Sequence, residues 1–277
     1  MKRRLRIWIG SLGVVVTVAM LVGGVRFVEN QASASRSVSD MVRIPAGEFT
    51  MGSDVDDPDA QPVRQVDLHT FAISRYEVTN AQYAHFLNGT DGSTDRCAGH
   101  VCLDTKLENP QSHILSRQGR YVVEAGYEEH PVTNVSWYGA QAYCEHVGMR
   151  LPTEAEWEKA ARGTDGRRYP WGDVADPNRL NAAHRRGETA PVGSYPEGAS
   201  PYGVHEMAGN VWEWTADWYT AYPGSSYVNA FFGRKYKVVR GGSWNHPDSD
   251  ARAAHRDLAH PARRIHVVGF RCARGTP

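Results

Sequence analysis

The sequence predicts an α+β domain rich in turns and poor in long regular elements, preceded by one N-terminal transmembrane helix or signal peptide. Three observations point there. The 277 residues include 27 glycines and 15 prolines, which break the chain into short runs. Those runs alternate between strand-like and helix-like patterns. Eight tryptophans supply large buried area, and three of them, Trp212, Trp214 and Trp218, stand beside the acids Glu213 and Asp217 behind a Gly209-Asn210 turn. Such a segment either orders a core around a cation or lines a pocket.

Lys plus Arg and Asp plus Glu both total 31, a formal charge of zero, which argues against a nucleic-acid binder. Lys2, Arg3, Arg4 and Arg6 precede an uncharged run, Ile7 to Val25, near the length that crosses a bilayer. The basic flank stays in the cytoplasm, which places the remainder outside it, inner-membrane anchored or secreted into the periplasm. A cleaved signal peptide is the alternative, with Ala32-Ser33-Ala34 as an A-x-A site. The expected organisation is a basic tip and anchor or signal peptide over 1–26, a small, polar linker over 27–40, and one domain over 41–277.

Each element of the domain has its own warrant. Val42, Ile44, Phe49 and Met51 are strand-like around a Pro45-Ala46-Gly47 turn, and Phe71-Ala72-Ile73 reads as a strand. A helix starts at Asn80, capped by Thr79 or Asn80, with Tyr83, Phe86 and Leu87 on one face. The stretch 89–129 reads as a long loop with a short strand in RQGRYVVEAGYEEHP. Ser136 caps a helix carrying Ala140, Tyr143 and Cys144 that Gly148 ends, and Pro152-Thr153 starts the next. Glu154 and Glu156 in its first turn suit the helix dipole. KVVRGGSW is a strand entering a glycine turn, and VVGFRCAR a closing strand.

Four cysteines in an oxidising compartment allow three pairings. Cys97 and Cys102 lie close enough to staple one loop, which leaves Cys144 with Cys272. A buried free thiol at Cys144 is the alternative.

The segments IPAGEFTMGS, YEVTNAQY, HPVTNVSW, AYCEHVGMRLPTEAEWEKAARG, YPWGD, TAPVGSYP, GVHEMAGNVWEWTADWY, VVRGGSW and GFRCAR resemble, in this order, the formylglycine-generating enzyme (sulfatase-modifying factor) family over residues 41–274. The resemblance implies a formylglycine-generating-enzyme fold, related to C-type lectin-like domains, and a Cys144–Cys272 bridge. It also implies structural calcium held by Glu206, Gly209, Val211 and Glu213, the two middle residues through backbone carbonyls, oxygen donors that suit this hard ion. A second family calcium site would use Asn181, Ala182 and a following Asp, but the chain there reads HRRGE with His184, Arg185 and Arg186.

The resemblance further implies a pocket at Trp212 and Ser243. The family's copper is held by two cysteines after the GGS-aromatic turn, whereas this chain reads RGGSWNHPDSDARAAHRD, with Asn245, His246 and Asp250 and no cysteine. Soft thiolates suit Cu(I), so copper and the copper–cysteine route to formylglycine are not expected. His246, His255, His260 and His266 crowd the region without a metal-motif spacing, a replacement metal site being the alternative to ordinary hydrogen-bonding histidines, and Arg256, Arg263 and Arg264 read as a solvated face, with an anion-binding rim as the alternative.

Two functions are therefore expected. The first is an exported accessory or maturation factor for a protein or peptide of the cell envelope, oxidoreductase-like if it is an enzyme. The second is a non-catalytic, lectin-like binding module whose face comprises the Cys97–Cys102 loop and the aromatics Tyr219, Tyr222, Tyr227, Phe231 and Phe232. A formylglycine-generating oxidase is a third, weaker alternative.

Overall fold

The computed structural model describes residues 40–89 and 97–276. The anchor or signal peptide, most of the 27–40 linker and part of the loop before Cys97 lie outside the described residues. Among the described residues, no helix is long and apolar enough to cross a membrane.

Among the described residues, eleven short strands and three α-helices make up the domain. β1 (Met41–Ile44), β4 (Phe71–Ser74) and β11 (Ala273–Gly275) form a three-stranded sheet in the order β1-β4-β11. The central sheet has the order β10-β7-β8-β9, from β7 (Trp212–Trp218), β8 (Lys237–Arg240), β9 (Arg256–Ala259) and β10 (Val268–Gly269). β10 runs parallel to β7 and the other pairs are antiparallel. The predicted closing strand is thus two strands: β10 ends at Gly269 and β11 joins the other sheet. Two hairpins complete the set, β2 (Gly47–Met51) with β3 (Arg64–Leu68), and β5 (Ile114–Arg117) with β6 (Arg120–Val123). The second hairpin replaces the single strand expected in the 89–129 stretch. Its side chains alternate between half-buried and exposed along β6.

The helices start where local chemistry places them. In α1 (Asn80–Gly89), the Gln82 side chain accepts from Thr79 N and the Thr79 hydroxyl accepts from Gln82 N, so Thr79 is the cap. Ser136 caps α2 (Trp137–His146) through Gly139 N, and Thr153 and Glu156 form a capping box on α3 (Glu154–Arg162).

The two largest apolar clusters among the described residues pack the helices on the sheets. Tyr83, Phe86, Tyr143, Trp212, Trp214 and Phe270 pack α1 and α2 on the central sheet. Ile44, Phe71, Ile73, Trp157, Ala160 and Met207 pack α3 on the three-stranded sheet. Both disulfides form as expected, Cys97–Cys102 and Cys144–Cys272, and no cysteine is free.

Charge is also buried. Glu154 accepts from Arg240 at 2.8 Å and from Arg256 at 2.7 Å, and Glu158 accepts from Arg162 at 2.9 Å and from Arg240 at 2.5 Å. Arg256, expected on a solvated face, is 4% exposed, because β9 turns it inward against Glu154 and the carbonyls of Asp59 and Thr220. Arg264 also differs from that expectation, bonding Asp104 at 2.5 Å, whereas Arg263 is exposed.

Candidate functional site

β8 leads into the turn that builds the site. Gly241 and Gly242 have φ of 100° and 76°, and a Cβ on Gly242 would meet Ala251 backbone at 3.1 Å, so the turn needs glycine on both counts. It delivers Ser243 beside His246: Ser243 Oγ lies 2.6 Å from His246 Nδ1 and donates to Asn245 Oδ1 at 2.9 Å. From β7, Trp212 Nε1 points at the same His246 Nδ1 at 3.4 Å, with the two rings edge to face. The four expected pocket residues, Trp212, Ser243, Asn245 and His246, are therefore brought together.

A second imidazole, His255, packs on the other side of the same indole, its centroid 5.7 Å away. Its Nδ1 lies 2.5 Å from Asp57 Oδ2, which also accepts from Arg252. Asp257 on β9 is pushed up by burial, while nearby His255 and His246 pull it back. Asp57 is 198 residues from His255, and no local pattern announces the pairing.

Next to the turn, the Trp244 ring meets His184 edge-on at 5.4 Å and His266 at 6.2 Å. Trp244, His266, Thr133, Gln111 and Glu188 line a cleft of about 170 Å³. Burial lowers His266, and nearby His246 adds to the effect. His260, the remaining histidine of the group, stands edge-on to Tyr236 instead.

On β7 the alternation of a strand separates Trp212 from Glu213. Glu213 is fully buried, clasped by Arg271 through two bonds of 2.7 Å and by Trp157 Nε1 at 2.9 Å. Glu206 accepts from Gly193 N at 2.9 Å. Glu77 is the third acid here, and sequence reasoning passed over it. Asn210 donates to its Oε2 at 2.6 Å, but its buried Oε1 has no partner. Burial, with Glu206 and Glu213 close by, pushes Glu77 well above the usual carboxylate range.

Three buried carboxylates thus share one guanidinium, Arg271. Hard oxygen donors with excess negative charge fit the calcium expected at Glu206, Gly209, Val211 and Glu213, although Arg271 already engages both Glu213 oxygens. Bound calcium would neutralise this charge. Among the described residues, no group of three or more His, Cys, Asp or Glu side chains is arranged to hold a metal by itself.

At the family's second calcium position, which this chain is not expected to keep, Asn181 is buried and donates to Glu188 O at 2.8 Å, while Arg185 pairs with Asp248. All four cysteines are in disulfides, so none is a free thiol. The aromatic loop divides: Tyr219 and Tyr222 are buried against Arg256, whereas Tyr227 and Phe231 are exposed.

Fold and site together define a turn-rich, disulfide-bonded α+β domain with an indole–serine–imidazole cluster at the glycine turn after β8. Residues 27–276 match the sulfatase-modifying factor enzyme 1-like domain, and the chain belongs to that family. Among its relatives is a protein named formylglycine-generating enzyme in Thermomonospora curvata, 36% identical over 285 residues that cover 84% of this chain and 92% of the relative. Another, named serine/threonine-protein kinase pkn1 in Chlamydia caviae, is 39% identical over 245 residues, 86% of this chain but 38% of that longer protein. The solved structure of PvdO from Pseudomonas aeruginosa superposes with a TM-score of 0.63 at 28% identity, covering 85% of this chain and 94% of that one. Relatives with such different names share the fold, so activity has to be argued from the site.

Proposed function

We propose that this protein is an exported accessory or maturation factor, working on a protein or peptide of the cell envelope through the pocket of Trp212, Ser243, Asn245 and His246. One observation supports the reading: Trp212, Ser243, Asn245 and His246 touch one another, yet every cysteine is committed to a disulfide and Asn245 and His246 follow the GGS-aromatic turn. Without a thiolate pair, Cu(I) loses its soft ligands, and the family's copper route to formylglycine goes with them. Calcium at Glu206, Gly209, Val211 and Glu213 is structural in this reading. The basic tip and the apolar run Ile7 to Val25 carry the domain out of the cytoplasm.

The test has two arms. Residues 1–40 fused to an alkaline phosphatase that works only outside the cytoplasm should give an active reporter; an inactive reporter would remove the export claim. The purified chain, given copper, oxygen and a cysteine-containing peptide, should form no aldehyde. Aldehyde in the peptide would refute the loss of copper chemistry.

A further inference from the structure

We propose that Ser243 is an activatable nucleophile with His246 as its base, and that the pocket takes an activated acyl group, an ester or thioester. The inference rests on the reading that this pocket is the functional site.

The argument begins with the proton on His246. An indole N–H donates and cannot accept. Trp212 Nε1 points at His246 Nδ1 from 3.4 Å, so that nitrogen carries the lone pair and the proton sits on Nε2. Ser243 Oγ, 2.6 Å from the same Nδ1, therefore has a basic nitrogen within reach as an acceptor. Asn245 Oδ1, at 2.9 Å, is the alternative acceptor for its single proton, which turns to one or the other. A serine hydroxyl that can donate to an imidazole whose tautomer is held by a third group is the arrangement that activates a serine. The serine is buried and His246 partly exposed, so a substrate reaches Ser243 from the His246 side. The cleft of about 170 Å³ beside the neighbouring Trp244, walled by Trp244, Thr133 and the half-buried His266 and not by Ser243 itself, has room for the side group of an acyl donor.

The step balances as an acyl transfer. Ser243 Oγ attacks the carbonyl carbon while its proton passes to His246 Nδ1. The bond from that carbon to the leaving oxygen or sulfur breaks, and His246 returns the proton to the departing alcohol or thiol. A water or an amine then releases the acyl group from Ser243. No oxidant or reductant is required.

The test needs no knowledge of the natural substrate. The full-length protein in detergent is treated with phenylmethanesulfonyl fluoride and digested, and adducts are located by mass spectrometry. The fluoride leaves, the serine oxygen is sulfonylated, and its proton goes to His246. The expected result is an adduct on Ser243 that Ser243→Ala abolishes and that forms roughly 100-fold more slowly in His246→Ala, the scale of a lost general base. His246→Asn serves where the alanine variant does not fold, with unfolding midpoints as the control. A folded wild-type protein unlabelled at Ser243, or equal labelling without His246, would overturn the proposal. The reporter and aldehyde assays involve no serine chemistry, so the exported-factor reading stands or falls separately.

Discussion

At the scale of single residues, several buried charges in this protein are paired, and the pairs set its sensitivities. Arg271 offsets the charge of Glu77, Glu206 and Glu213 and holds Glu213 by two bonds. Removing one partner strands the other without water, so Arg271→Ala should cost about 3–5 kcal/mol in urea unfolding. A loss under 1 kcal/mol would mean that the acids are neutralised some other way. His130 gives a pH signature. Burial lowers it from the ordinary 6.5 to about 4, and its Nδ1 pairs with Thr189. The folded state therefore binds the proton less readily than the unfolded chain. The stability this group contributes is present above about 6.5 and is lost as the pH falls towards about 4. Urea midpoints measured across that window should fall more steeply for wild type than for His130→Gln. Parallel curves would show that His130 is not the group responsible.

At the scale of elements, close approaches decide the sign of a mutation. Gly139 lies inside α2, where alanine is ordinarily better by about 1 kcal/mol. Here a Cβ would stand 2.3 Å from Cys102 O and 2.6 Å from Tyr83 Oη. Overpacking typically costs about 1–3 kcal/mol, so Gly139→Ala should destabilise, which a thermal melt would report. A raised melting temperature would mean that the Cys97–Cys102 loop yields easily. Helix starts were legible in the sequence because capping is local: Thr153 finds Glu156 three residues on and Ser136 finds Gly139. The closing strand was read as one because periodicity does not reveal a change of sheet after Gly269. Arg256 was misread because its partner Glu154 is 102 residues away, and a basic cluster looks the same in sequence whether solvated or buried.

At the scale of the whole molecule, Cys144–Cys272 ties α2 to the end of the chain across 128 residues, while Cys97–Cys102 spans 5. Loop-closure entropy then assigns the long bridge roughly 4–5 kcal/mol. Cys144→Ala with Cys272→Ala should lower stability by much more than the same change at Cys97 and Cys102, and equal losses would contradict this view. The order of motifs made the family legible and gathered Trp212, Ser243, Asn245 and His246 in advance. Asp57 and His255, or Glu77 beneath Asn210, escaped because only the fold brings them there. The central claim is that the family pocket persists here without its copper thiolates. Metal analysis of the purified full-length chain, after loading with calcium and Cu(I) and exhaustive dialysis, tests it most directly. The account predicts retained calcium and no retained copper; stoichiometric Cu(I) would contradict it.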